Sequence, residues 1–192
     1  MLTKNINFKN FNLTKINKST KKDLVKLLRE KNVILDSLSA NYKNSYSNKK
    51  ILTSKNYRNI RVIGMGGSIL GTEAIFDFLR PKIKKSFEFI NNLETTKVFR
   101  AKNYKSINLV VSKSGNTLET ISNSNIFIKN NDKNIFITEN KESYLLLLAK
   151  KLKAEVVHHN NFIGGRFSVL SEVGMLPAEL MGFNPKKFRQ LN

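Results

Sequence analysis

Between residues 57 and 157 the chain alternates short apolar-rich runs with longer stretches of helical spacing. Residues 60–63, 87–91, 107–111, 134–138 and 154–157 read as five strands. A helix is predicted from about Gly71, with Ala74, Ile75, Phe78 and Leu79 on its apolar face and Pro81 at its exit. A second runs from Thr117 through Leu118, Ile121, Ile126 and Phe127, and a third spans residues 143–152 with a dense leucine run. A weaker pattern over residues 93–105 suggests a short helix. Parallel neighbours need long crossovers, and crossover helices cover both faces of a sheet. Handedness then fixes how those helices are distributed. The expected fold is α/β: a doubly wound, mostly parallel five-stranded sheet with helices on both faces.

The lead-in is of another kind. Residues 1–19 are polar, with scattered apolar positions. Ser19 or Thr20 should open a helix whose stripe is Leu24, Leu27, Leu28, Leu35 and Leu38, running to about Asn41. Residues 42–56 are rich in Lys, Asn and Ser and read as a connector. The expected division is residues 1–55 as arm, helix and connector, and residues 56–192 as the α/β domain with the start of a further helical segment.

No apolar run approaches the ~20 residues that a membrane span needs, and the N-terminus lacks the apolar core of a signal peptide. Without cysteine there are no disulfides and no thiolate metal sites. A cytoplasmic protein with no membrane partner is expected. The formal charge is +20. Its lysine pairs are short and scattered, and no zinc-finger spacing or glycine-aromatic RNA motif accompanies them. The charge therefore reads as solvated faces that steer anions, not as a specific nucleic-acid surface.

Three loops carry chemistry. Ser112-Lys113-Ser114-Gly115-Asn116-Thr117 lies between a strand and a helix. The first N–H groups of a helix have no internal partner and favour negative charge. Ser112, Ser114, Thr117 and Thr120 can add hydroxyls, and Gly115 permits close approach. The same residues also suit an ordinary Ser/Thr cap. Gly64-Met65-Gly66-Gly67-Ser68 follows the first strand. Its spacing fits neither the dinucleotide fingerprint nor the P-loop, so no cofactor is expected. Ser68 is a sugar contact, a helix cap or both. Phe162-Ile163-Gly164-Gly165-Arg166-Phe167-Ser168 follows the fifth strand. Arg166 could stabilise an oxyanion or sit on the surface beside the next helix. In open parallel sheets ligands bind at the carboxyl ends of the strands. All three loops emerge at that end.

Together these residues resemble the glucose-6-phosphate isomerase family. Residues 112–120 are similar to its sugar-phosphate loop, Gly64-Met65-Gly66-Gly67-Ser68 to its first glycine loop, and residues 164–174 to its arginine signature. The resemblance covers about residues 56–192 and implies a flavodoxin-like sugar isomerase domain. It implies that Ser112, Ser114 and Thr117 bind the 6-phosphate with Lys113 in the same loop. Gly66, Gly67 and Ser68 would line the sugar, and Arg166 would be catalytic, facing the enediolate. Asn116 stands where the family often carries threonine. The implied substrates are glucose 6-phosphate and fructose 6-phosphate, without metal or cofactor, in a homodimer of the full-length enzyme.

The implied reaction moves a proton between C2 and C1 through a cis-enediol(ate) after ring opening, an intramolecular oxidoreduction belonging to glycolysis and gluconeogenesis. In the family the carboxylate base, the ring-opening histidine and a late lysine lie in a second sugar isomerase domain and a C-terminal tail. Glu119, Glu172, His158 and His159 match none of them, and no second such domain is found up to Asn192. The expectation is an N-terminal portion of the isomerase, inactive by itself. The alternative is a non-catalytic module that binds phosphosugars.

Overall fold

In the computed structural model, which describes residues 17–30, 32–46, 57–93, 106–129 and 132–190, five strands form one sheet. They are β1 (Asn59–Gly64), β2 (Ser86–Ile90), β3 (Ser106–Val111), β4 (Lys133–Glu139) and β5 (Glu155–His159). Their order is β2-β1-β3-β4-β5 and every pairing is parallel. That is the flavodoxin-like arrangement.

The helices are α1 (Lys18–Arg29), α2 (Val33–Leu38), α3 (Leu70–Leu79), α4 (Leu118–Phe127), α5 (Tyr144–Lys151), α6 (Glu172–Leu180) and the short α7 (Pro185–Phe188). Residues alternate across each strand. Val62, Leu109, Val111, Ile135 and Ile137 face one side, packing with Ile69 before α3 and with Val173, Leu176 and Leu180 of α6. Ile63, Val110 and Phe136 face the other, against Leu145 and Ala149 of α5 and Ile121 and Phe127 of α4. Burying both faces removes any reason for alternating polarity, since each such side chain contributes ~1.5–3 kcal/mol.

Four local expectations differ from the structure. The single helix expected up to Asn41 is two, because Glu30 is extended and Asn32 caps α2 by accepting from the Ile34 N–H at 2.8 Å. Asn17, not Ser19 or Thr20, caps α1. On α3, Ala74 and Phe78 point outward. Thr72 is buried instead, and Phe76 packs on Phe87 and Phe89 of β2. On α4, Leu118 and Ile126 are exposed while Thr120, Asn123 and Ser124 are buried. These polar residues fit because Asn123 donates to the Asn92 carbonyl and Ser124 to the Thr120 carbonyl, so neither side chain lacks a partner. The helix expected over residues 93–105 lies almost wholly outside the described residues, as do residues 47–56 of the connector. Residues 42–46 lie against α6, with Tyr46 in the core. Among the described residues no helix is long and apolar enough to cross a membrane.

Candidate functional site

β1 and β3 are adjacent and in register, with Gly64 opposite Val111 at their carboxyl ends. The chain leaves β1 for α3 on one face and β3 for α4 on the other. This reversal opens a crevice between the strands, the position at which doubly wound sheets take ligands.

The β3–α4 loop forms one wall. Gly115 has φ of +66°, and a Cβ there would lie 2.2 Å from the Ser143 Oγ. Glycine therefore lets the loop lie down on the start of α5. There the Gly115 carbonyl accepts from the Leu145 N–H at 3.0 Å, and Asn116 Oδ1 accepts from the Tyr144 N–H at 2.9 Å. Thr117 holds the capping position of α4, yet its side chain makes no cap. Its hydroxyl lies 2.9 Å from that of Ser112, which is buried. An ordinary cap is thus set aside: the first N–H groups of α4 have no acceptor among the described residues, and two hydroxyls stand beside them. Ser114 is exposed, and its Oγ accepts from the Asn116 N–H at 3.2 Å. The Lys113 ammonium lies 3.3 Å from Glu139 at the end of β4. Thr120, expected as another hydroxyl donor, is buried on the inner side of α4 and has no hydrogen-bond partner among the described residues.

The opposite wall joins the two glycine loops. Residues Gly66–Ser68 and Gly165–Phe167 each form a tight helical turn. A Cβ on Gly67 would meet the Gly165 carbonyl carbon at 2.5 Å, so only glycine lets these backbones touch. Ser168 Oγ donates to the Gly165 carbonyl at 2.8 Å and lies 3.3 Å from that of Gly67. The segment that leaves β5 at the sheet edge is thereby drawn across to the β1 loop. Arg166 is exposed, with its guanidinium 6.0 Å from the Phe167 ring centre. It has no carboxylate partner among the described residues, so its charge is available to an anion.

Glu172 and His159 play no part at the mouth, being 1% and 3% exposed. Glu172 accepts from the Tyr42 hydroxyl at 3.0 Å and the Ser45 N–H at 3.1 Å, and lies 3.4 Å from His159 Nδ1. Burial alone would raise its carboxyl, but the bonds from His159, its own backbone, Ser45 and Tyr42 outweigh it and hold the group below the usual range. The Tyr42 hydroxyl is pushed well up by burial and by this carboxylate. Sequence reasoning missed this cluster because its members come from three distant segments. It also missed Ser143 and Glu139, whose roles appear only once α5 and β4 stand beside the β3–α4 loop. A cleft of about 670 Å3 between residues 42–46 and α6–α7 contains none of the expected site residues.

The fold recurs in a hypothetical protein of Thermus thermophilus, at a TM-score of 0.66 and 22% identity, over 88% of this chain and 44% of that one. It recurs also in the Vibrio vulnificus NanR protein complexed with ManNAc-6P, at a TM-score of 0.55 and 20% identity, over 85% of this chain and 63% of that one. Among curated sequences, the glucose-6-phosphate isomerase of Methanocaldococcus jannaschii is 35% identical over 142 residues, which is 68% of this chain and 35% of that protein. That of Mycoplasma genitalium is 32% identical over 152 residues, 69% of this chain and 35% of the relative. The probable glucose-6-phosphate isomerase of Methanococcus maripaludis is 32% identical over 205 residues, 95% of this chain and 46% of the relative. The chain thus spans between about a third and a half of these relatives' lengths. The model of the phosphoglucose isomerase family matches residues 12–191, and with the paired loops at the β1–β3 crevice this chain belongs to that family.

Proposed function

We propose that this chain is the phosphosugar-binding portion of a glucose-6-phosphate isomerase, acting on glucose 6-phosphate and fructose 6-phosphate. The carrying observation is that β1 and β3 end side by side, with a hydroxyl-lined helix start lacking a side-chain cap after β3, and after β1 a glycine turn in contact with the loop of Arg166, whose guanidinium has no carboxylate partner among the described residues. Ser112, Ser114 and Thr117 hold the 6-phosphate with Lys113 nearby. Gly66, Gly67 and Ser68 lie along the sugar. Arg166 stabilises the charge that builds on the enediolate oxygens, a role typically worth ~10²–10³ in rate. The phosphate itself does no chemistry but orients the reacting carbons. A cytoplasmic setting, a homodimer, and residues 1–55 as a lead-in to an isomerase domain belong to the same proposal. So does a charge that steers anions: any nucleic-acid binding should vanish at moderate salt and show no sequence preference.

One observation favours a binding module for this polypeptide by itself. Glu172 and His159, two of the ionisable residues flanking the arginine loop, are buried against each other and face no substrate. A coupled isomerase assay on the 192-residue chain separates the two readings. No measurable turnover is expected, and robust activity would overturn the assignment of the base to a region outside this sequence. Calorimetry with fructose 6-phosphate tests the phosphate wall. Ser114→Ala combined with Thr117→Ala removes two charge-assisted bonds of ~1.5–3 kcal/mol each and should weaken binding at least tenfold in a folded protein. Unchanged affinity would remove the wall from the site.

A further inference from the structure

The arginine loop is fastened at both ends, and only its exit is accounted for by the glycine contact with β1. Its entry is Ile163, fully buried, whose carbonyl lies 3.0 Å from His159 Nε2. The other ring nitrogen of His159 faces the Glu172 carboxylate at 3.4 Å. Glu172 is the first residue of α6, so the carboxylate rests on a helix that packs against α3 and β5. A carbonyl and a carboxylate can only accept hydrogen bonds, so the ring stands between two acceptors, one on the loop and one on the helix: with both nitrogens protonated it donates to each, and as a neutral ring it donates to one of them. A buried carboxylate and imidazole are costly to bury unless hydrogen-bonded. No step proposed for the crevice uses them.

Resting on the reading of the crevice as a phosphosugar site, we propose that His159 is a positioning residue for Arg166: it tethers the entry of the arginine loop to the buried carboxylate of Glu172. The tether sets where the chain leaves β5 before it crosses to Gly67. Since Gly164 and Gly165 have no side chains to hold them, the anchors on either side determine the placement of the guanidinium. Glu172 has a second arm, to Tyr42 and Ser45, which binds residues 42–46 to the domain without touching the loop. The two arms are separable by mutation.

The test uses three variants of the full 192-residue chain, with fructose 6-phosphate and inorganic phosphate as probes in calorimetry. Amide exchange at Phe167 and Ser168, whose N–H groups bond the Gly164 and Gly165 carbonyls, reads the loop without any ligand. An asparagine amide can replace Nδ1 of the imidazole and a glutamine amide Nε2. His159→Asn therefore cuts the bond to Ile163, and His159→Gln keeps a donor there. His159→Asn should lose ~10-fold in fructose 6-phosphate affinity, a loss of the size expected when a binding group shifts by part of an ångström. Its affinity for inorganic phosphate should stay within ~2-fold, because the β3–α4 wall is untouched. Exchange at Phe167 and Ser168 should quicken. His159→Gln should recover part of both effects. Tyr42→Phe should lower thermal stability while leaving both affinities and the loop's exchange as in the unmodified chain.

The tether is refuted if folded His159→Asn matches the unmodified chain in affinity and exchange. A proportional loss of both ligands, His159→Gln no better than His159→Asn, or the same selective loss in Tyr42→Phe would refute it equally. Should the unmodified chain bind neither probe, the functional reading fails on its own, and the exchange rates still decide whether His159 holds the loop.

Discussion

The two walls of the crevice are built on opposite plans. The β3–α4 wall is local: its hydroxyls, glycine and helix start lie within residues 112–118, and its support comes from the adjacent β4 and α5. The arginine wall is assembled from afar. Gly67 meets Gly165, Ser168 reaches back to Gly67, and His159 ties Ile163 to Glu172. A wall made of backbone donors binds a compact dianion with little need of tertiary precision. A wall that must aim one guanidinium depends on every contact behind it. Damage to the first should therefore affect any phosphate ligand, and damage to the second only ligands that carry the sugar.

Glycine-to-alanine changes give the largest contrast. In Gly67→Ala the new Cβ would press on the Gly165 backbone at 2.5 Å, which no rotamer relieves. Forced backbone shifts of this kind cost ~1–3 kcal/mol, and a displaced arginine loop should lower fructose 6-phosphate affinity up to ~100-fold. Affinity for inorganic phosphate should change little. Gly115→Ala is the counterpart: it meets a side chain, the Ser143 hydroxyl at 2.2 Å, and adds strain from a φ of +66°. That variant should lose both ligands together. If calorimetry finds the same ligand pattern in both variants, the division between the walls does not hold.

Arg166→Gln is expected to come next. The exposed guanidinium has no carboxylate partner among the described residues, so its removal should leave the melting temperature within ~1 °C, as for other surface changes. Fructose 6-phosphate binding should fall ~10- to 100-fold, the worth of one charge-assisted bond of ~1.5–3 kcal/mol, and inorganic phosphate should hardly notice. A parallel loss of both would mean that Arg166 belongs to the phosphate wall.

Acid should separate the walls as well. The Glu172 carboxyl is held below its ordinary value in the folded protein. The stabilisation it provides is therefore present above the unfolded value of ~4.3 and is lost as pH falls through the lower folded value. Thermal melts between neutral and acidic pH should show a decline that Glu172→Gln lacks, at the cost of a lower plateau at neutral pH. An identical acid decline in both proteins would show that the carboxylate is not responsible.

How far each wall could be read from sequence follows from the same difference. The strand runs, the loop hydroxyls and Gly115 are contiguous, so residue order alone placed them at the carboxyl end of β3. The sheet could be read because buried parallel strands are apolar throughout, as Leu109, Val110 and Val111 are. Helix faces were less legible. Thr120, Asn123 and Ser124 are inward on α4 because local carbonyls and Asn92 satisfy two of them, and no periodicity of apolar residues reports that. The break between α1 and α2 depends on a single capping asparagine within an unbroken leucine stripe. The anchoring of the arginine loop was invisible, since Tyr42, His159 and Glu172 meet only after the sheet has formed.

The smallest effect probes the one charged side chain in the local wall. Lys113 is expected near the phosphate, but its ammonium lies 3.3 Å from Glu139, with the lysine side chain 34% exposed. Such half-exposed pairs are worth little, ~0–1 kcal/mol, so the lysine can turn toward a dianion at small cost. Glu139→Gln removes the competing carboxylate and one negative charge from the rim of the crevice. Affinity for inorganic phosphate should rise ~2- to 3-fold at low salt, and the gain should fade as the Debye length shrinks from ~10 Å at 0.1 M toward ~3 Å at 1 M. Fructose 6-phosphate should gain by the same factor, because in the proposed binding mode both ligands present their phosphate to this wall. A gain confined to the sugar phosphate would place Glu139 beside the sugar and undo the separation of the two walls from the other side.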